Sequence, residues 1–350
     1  MRPPQEDWRP SATRALLAER AALLARAREF FAARGVIEVN TPLMVNAAVS
    51  DVHLHSAEVR LAPASCAAPA PPAAAAANAA AGRLFLRTSP EYAMKRLLAA
   101  GSGDIYQIGP VVRGNERGRL HNPEFTLIEW YRLGFSLTSL MDEVEALVRA
   151  LLGPPGARRR TERLSYRDAF LRELGSDPFT VPEAQLAEAA QRLGFDPHAG
   201  RGAEAGEASA ADRDELLELL MGLAVGPRLG RDALTFVHGY PATQAALARL
   251  DPLDPRAALR FELYCEGLEL ANGFHELASA CEQRVRFERD NQERLRLGLP
   301  AVAPDERLLA ALAAGLPDCA GVALGLDRTL MLATGVSHID GVLAFPTGRA

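Results

Sequence analysis

Residues 262–278 read Glu262-Leu263-Tyr264-Cys265-Glu266-Gly267-Leu268-Glu269-Leu270-Ala271-Asn272-Gly273-Phe274-His275-Glu276-Leu277-Ala278. Apolar and charged residues alternate on the flanks, the period of two expected of a half-buried strand, and the Asn272-Gly273 pair signals a turn near the middle. Two acids, Glu269 and Glu276, therefore fall on a strand and its exit. Carboxylates so placed suit a divalent cation held against a phosphate tail, because Mg2+ takes oxygen ligands and is usually bound by one or two carboxylates plus the phosphates. Two isolated acids on a strand are more often a solvated face, so the reading depends on the rest of the chain.

Two further stretches strengthen it. Gly321-Val322-Ala323-Leu324-Gly325-Leu326-Asp327-Arg328 is a run of small residues opening into an apolar helix at 329–334. Glycine there lets backbone approach a ligand, and a guanidinium at a helix start suits bidentate phosphate recognition. Upstream, Arg113 ends a strand and is followed by His121-Asn122-Pro123-Glu124-Phe125 and then Glu129-Trp130-Tyr131. Glu129 and Tyr131 are alternate residues of a returning strand and share a face.

The segment from Arg113 to Tyr131 resembles motif 2 of the class II aminoacyl-tRNA synthetases, in the form found in lysyl-tRNA synthetases. Residues 269–276 together with Gly325-Leu326-Asp327-Arg328 resemble motif 3, and Phe31-Ala32-Ala33-Arg34-Gly35-Val36-Ile37-Glu38-Val39-Asn40-Thr41-Pro42 is similar to motif 1. The likeness runs in order from about Leu16 to the C-terminus. It implies an α+β catalytic core, a mostly antiparallel sheet flanked by helices, a homodimer built on motif 1, and adenylation of a carboxylate with ATP and Mg2+. Attack at the α-phosphorus spreads negative charge over oxygens that a fixed guanidinium stabilises. The resemblance gives that catalytic role to Arg113 and Arg328. It assigns ATP binding to these two with Asn122, Phe125, Glu269, Leu270 and Gly325, Phe125 stacking on adenine, and it places Glu269 and Glu276 near the metal. The family carries Arg-x-Glu where this chain has Arg113-Gly114-Asn115-Glu116. Unchanged spacing to His121 gives the acid's place to Asn115, and a local shift gives it to Glu116.

Arg87-Thr88-Ser89-Pro90-Glu91 follows a short strand and enters a helix at 92–99. In the lysyl-tRNA synthetases the matching glutamate contacts the side-chain amine of the amino acid, and Ser89 and Pro90 would line its pocket. A diamino acid brings two ammonium groups, and unpaired buried charge is costly. Glu91, Glu129, Glu276 and Glu282 supply an acid ring, with Tyr131 adding a hydroxyl. Ala323 stands where the tRNA enzymes have glycine; one methyl in such a pocket is worth about 1–3 kcal/mol of discrimination.

The 350 residues give room for one large or two medium domains, and 48% hydrophobic with 24% charged residues reads as a soluble globular chain. A net charge of -5 offers no basic excess for gripping RNA. The four cysteines, Cys66, Cys265, Cys281 and Cys319, form no Cys-x-x-Cys pair, which argues against a zinc site or disulfide framework. His53 and His55 share a strand face but lack further ligands nearby. No apolar run is long enough for a bilayer span, and a cytoplasmic location is expected.

Residues 11–34 carry leucines and phenylalanines at helical spacing with Ser11 as a candidate N-cap, and Gly35 ends the helix. The catalytic domain is expected over 11–350, with a flexible Ala/Pro-rich insertion at 62–82 and a helical insertion at about 153–233. Lysyl-tRNA synthetases place an anticodon-binding domain before motif 1, whereas here motif 1 begins within the first few dozen residues. That arrangement resembles the freestanding branch of the family, the ligases that join (R)-β-lysine to a lysine of translation elongation factor P. The expected substrate is (R)-β-lysine or lysine, with tRNA and membranes not expected as partners. The rival readings are a truncated synthetase charging tRNA or another carrier with lysine, and a non-catalytic binding module.

Overall fold

A computed structural model of the chain describes residues 8–61, 83–196 and 212–350. The chain divides into two compact units, Met1–Ala157 with Glu276–Ala350, and Arg158–His275. The Ala/Pro-rich segment 62–82 lies outside the described residues, as does 197–211 within the expected helical insertion.

The first unit opens with α1 (Arg14–Ala32), capped by the Thr13 hydroxyl, which accepts from the Leu16 N–H at 3.3 Å. Thr13 takes the place expected of Ser11 because its oxygen is the one in reach of the orphan amides of the first turn. There follow β1 (Ile37–Glu38), β2 (Met44–Val45), β3 (Glu58–Arg60), β4 (Arg83–Leu86), α2 (Glu91–Ala99), β5 (Ile105–Val112), β6 (Glu124–Leu133) and α3 (Leu137–Leu152). Strands β2, β4 and β3 make a small antiparallel sheet.

The second unit runs through β7 (Arg160–Ser165), α4 (Tyr166–Leu174), α5 (Glu183–Arg192), α6 (Arg213–Leu220), β8 (Ala233–Pro241), β9 (Ala257–Cys265) and β10 (Leu268–His275). Its strands lie in the order β7-β8-β9-β10, the first pair parallel and the others antiparallel. Tyr166, Phe170, Val237 and Tyr240 anchor its core under the helices. The hairpin from β9 to β10 turns at Glu266 and Gly267, with φ of 50° and 73°. A two-residue hairpin turn that matches strand twist needs positive φ at both positions. A Cβ on Gly267 would lie 2.6 Å from the Pro227 carbonyl oxygen, so glycine is obligatory there. Asn272 and Gly273, read from sequence as the turn, instead sit inside β10 opposite Glu262 and Phe261.

The chain returns to the first unit as α7 (Ala280–Arg296), α8 (Glu306–Gly315), β11 (Cys319–Gly325) and α9 (Leu326–Thr334). There β1-β5-β6-β11 form a sheet in which only β1 and β5 are parallel. Register sorts its two faces. Tyr106, Trp130 and Val322 make one cross-strand row. Phe31 of α1 stacks on Tyr106 at 4.3 Å and meets Trp130 edge-on at 5.3 Å, while the Trp130 indole N–H donates to Glu143 of α3 at 3.1 Å. Burying a side chain such as Phe31 contributes roughly 1.5–3 kcal/mol. The alternate residues point the other way, in rows Gln107-Glu129-Ala323 and Ile105-Tyr131-Gly321. Helices α1 and α3 seal one face, and the opposite face carries Gln107, Glu129 and Tyr131.

Candidate active site

Pro90 serves as N-cap of α2 and Glu91 is its first residue. The Glu91 N–H donates to Ser89 Oγ at 2.9 Å, and the Ser89 hydroxyl donates to Glu129 Oε2 at 2.9 Å. Tyr131 donates to the other Glu129 oxygen at 2.9 Å. Glu129 is thereby held by two neutral donors and no cation, and burial, then the nearby Glu91 charge, pushes its carboxyl up to about 8. At neutral pH the free protein keeps this acid protonated.

One helical turn beyond Glu91, Lys95 Nζ lies 2.7 Å from Glu91 Oε1 and 2.6 Å from Glu276 Oε2. The Lys95 and Glu276 side chains are each 1% exposed. Burial pulls the Lys95 ammonium down, but Glu276 and Glu91 outweigh it and hold its proton more tightly than in water. Burial pushes Glu276 up to about 7, against the pull of Lys95. Gly321 of β11 makes the approach of these groups possible. A Cβ there would lie 2.2 Å from the Tyr131 ring and 2.5 Å from Glu276 Oε1. Ala323, directly opposite Glu129, adds the one methyl of this row.

The cationic end is built on the loop between β5 and β6. Arg113 Nη1 lies 3.6 Å from Glu116 Oε1, and its guanidinium carbon stands 5.2 Å from the Phe125 ring centroid. Glu116 Oε2 is 4.0 Å from His121 Nε2, which accepts from Arg328 Nη2 at 2.7 Å. Burial and then Arg328 lower the His121 pKa, which suits a neutral ring accepting from a guanidinium. Asn115 is exposed, and Glu116 is the acid beside Arg113. Arg328 follows Gly325, the N-cap of α9, and Asp327. Asp327 is buried, accepting from Arg20 Nη1 at 2.5 Å and from the Thr126 N–H at 2.7 Å, which ties the start of α9 to α1 and β6.

Ser89, Pro90, Glu91, Glu129, Tyr131, Glu276 and Ala323 are thus gathered on one face, and Arg113, Glu116, Phe125 and Arg328 around one loop. Other expectations fail. Glu282 is not in the acid ring: its half-exposed carboxylate accepts from Arg286 on its own helix at 2.5 Å. Asn122 does not present its amide to a base: it donates to the Glu124 carbonyl at 2.7 Å and accepts from the Thr347 N–H at 3.1 Å, buried between two backbone segments. Glu276 Oε2 faces Lys95, and the assignment of Glu269 and Glu276 to a metal rests on the resemblance. Among the described residues no cluster of three or more His, Cys, Asp or Glu is arranged to hold a metal ion. His53 and His55 belong to no such cluster. Glu269 and Leu270 lie on β10 of the second unit, Leu270 buried and Glu269 across from Tyr264. Their assignment to ATP rests on the resemblance. Sequence reading missed Lys95, His121, Asp327 and Arg20; the i, i+4 spacing of Glu91 and Lys95 on a helix was the available signal for the first. No helix among the described residues is long and apolar enough to cross a membrane.

The family of class II tRNA synthetases (D, K and N) matches residues 5–349. The chain is 49% identical over 344 residues to the elongation factor P--(R)-beta-lysine ligase of Vibrio cholerae serotype O1, covering 98% of this chain and 99% of the relative. It is 49% identical over 345 residues to the ligase of the same name from Yersinia enterocolitica serotype O:8, and 48% over 343 residues to that from Klebsiella pneumoniae subsp. pneumoniae, with 98% of each chain covered in both cases. Matched over residues 5–349 by the family and over 98% of its length by these relatives, the chain belongs to the class II tRNA synthetase family, in its branch of elongation factor P--(R)-β-lysine ligases.

Proposed function

We propose that the chain activates (R)-β-lysine with ATP and transfers it to the ε-amine of a lysine on translation elongation factor P. The observation that carries this reading is the cluster of the buried Glu129 and Glu276 with the half-buried Glu91 beside one sheet face, an acid-rich set suited to a substrate with two ammonium groups. One ammonium enters beside Glu129, whose proton is displaced as the cation takes the place of the hydrogen. The substrate carboxylate attacks the α-phosphorus of ATP, a C–O–P linkage forms, and pyrophosphate leaves. Arg113 and Arg328 stabilise the charge that spreads over the phosphate oxygens, with Glu116 and His121 fixing their orientation. Phe125 offers its face to the adenine ring. The neutral ε-amine of the acceptor then attacks the mixed anhydride, forming an amide as AMP departs with its phosphate oxygens. Mg2+ accompanies the phosphates of ATP. We infer in addition a homodimer built on α1 and β1, where Ile37 stays exposed on the single chain.

The test is ATP-pyrophosphate exchange with (R)-β-lysine and L-lysine, followed by transfer to purified elongation factor P or to tRNA. Exchange that depends on (R)-β-lysine, with a mass gain on elongation factor P, supports the reading. Charging of tRNA in place of the protein, or no exchange with any diamino acid, overturns it.

A further inference from the structure

Three acids converge on the proposed amino-acid pocket, but so does a fixed cation. Lys95 is fully buried and bonded to Glu91 at 2.7 Å and Glu276 at 2.6 Å. The helix α8 that packs beside α2 contributes apolar residues, Leu308, Leu309 and Leu312, to its buried face. The charged groups that act on Lys95 are Glu276 and Glu91. Glu129 on β6 interacts in turn with both of these acids and takes hydrogen bonds from Tyr131 and Ser89. A structural lysine of this kind is expensive, because a buried ion pair is often no more stabilising than an apolar pair of equal volume. Its place among acids that would receive ammonium groups points to a role there.

We propose that Lys95 is a specificity-determining and positioning residue that acts as a resident ammonium and sets the charge of the acid ring. Once an entering ammonium has displaced the Glu129 proton, three carboxylates, Glu91, Glu129 and Glu276, stand against the one ammonium of Lys95 and leave two negative charges. That remainder equals the two ammonium groups of a diamino acid. Lys95 also draws Glu91 and Glu276 toward a single point, since one ammonium donates to Glu91 and pairs with Glu276, and so fixes where the substrate cation must sit. The proposal rests on the functional reading above.

The test uses ATP-pyrophosphate exchange at pH 7 with (R)-β-lysine, on the wild-type chain and the variants Lys95→Met, Glu276→Gln and the double Lys95→Met/Glu276→Gln. With substrate bound and the Glu129 proton displaced, the ring carries two net negative charges in the wild type, three in Lys95→Met, one in Glu276→Gln and again two in the double variant. Lys95→Met is expected to raise KM for (R)-β-lysine at least tenfold with KM for ATP within twofold. The double variant is expected to recover at least fivefold of that loss, and to bind (R)-β-lysine more tightly than Glu276→Gln alone. A double variant no better than Lys95→Met, or an unchanged KM in Lys95→Met, overturns the proposal, as does an equal loss in KM for ATP. Should melting curves show that Lys95→Met does not fold, the order of Glu276→Gln and the double variant decides, and Glu276→Gln binding the tighter of the two overturns it. Wild-type exchange that does not depend on (R)-β-lysine overturns the functional reading itself, and the Lys95 proposal falls with it.

Discussion

Replacing Glu129 by glutamine separates what the pocket costs the free protein from what it gives the substrate. The carboxyl is buried, hydrogen-bonded by Ser89 and Tyr131, and raised from 4.5 to about 8. The folded protein thus binds this proton more tightly than the unfolded chain does. Stability from this group is complete below pH 4.5, falls as pH rises, and is lost once pH passes about 8. At about 1.4 kcal/mol for each tenfold in proton affinity, the whole span is on the order of 5 kcal/mol. A glutamine keeps one acceptor for Tyr131 and cannot ionise. Glu129→Gln should therefore match the wild type in denaturant midpoint at pH 5 and exceed it at pH 9, by several kcal/mol. The same change removes the negative charge that receives an ammonium, so exchange with (R)-β-lysine should fall at least a hundredfold. Saturating (R)-β-lysine should stabilise the wild type at pH 9 and leave the variant unmoved. Parallel stability-pH curves for the two proteins would refute the argument, because the Glu129 proton would then not be the one that folding retains.

Arg328→Ala should abolish pyrophosphate exchange, a loss of about 10²–10³ or more as for other transition-state donors; near-normal exchange would remove Arg328 from the phosphate site. Gly321→Ala drives a methyl to 2.2 Å from the Tyr131 ring, and overpacking of this kind costs about 1–3 kcal/mol. Its effect should appear in KM for the amino acid, about five- to 150-fold, with KM for ATP little changed in the same exchange assay. Asn122→Ala should lower stability by about 1–3 kcal/mol through two lost buried hydrogen bonds, without a selective rise in KM for ATP; a selective rise would return Asn122 to base recognition.

The alternating pattern around Glu129 and the proline-led entrance to α2 were readable because strand and helix periods fix which side chains share a face. Glu129 and Tyr131 could accordingly be placed on one face from the sequence, while Glu91 joined them through the resemblance to lysyl-tRNA synthetases. The Asn272-Gly273 turn misled, since the local signal ignores which residues pair across the strand; Glu266 and Gly267 turn instead, where Gly267 alone clears the Pro227 carbonyl. Lys95 was only half legible, its spacing from Glu91 being the one local signal. A lysine in a short helix reads as a surface residue until a carboxylate far along the chain, Glu276, is brought against it. Asn122 owes its structural role to Thr347, 225 residues away, and no spacing rule reaches that far. Glu282 sits at a helix start where an acid has a local use, beside Arg286 one turn on, and that competing partner won.

Glu129, Trp130 and Tyr131 are consecutive on β6, so the pocket acid and the tryptophan packed under α1 stand back to back. A slip of one residue in the pairing of β6 would trade them, sending an indole into the acid ring and a carboxyl among Phe31 and Tyr106. Errors of assembly in this strand are then all-or-nothing. A misthreaded molecule loses its core and its acid cluster together.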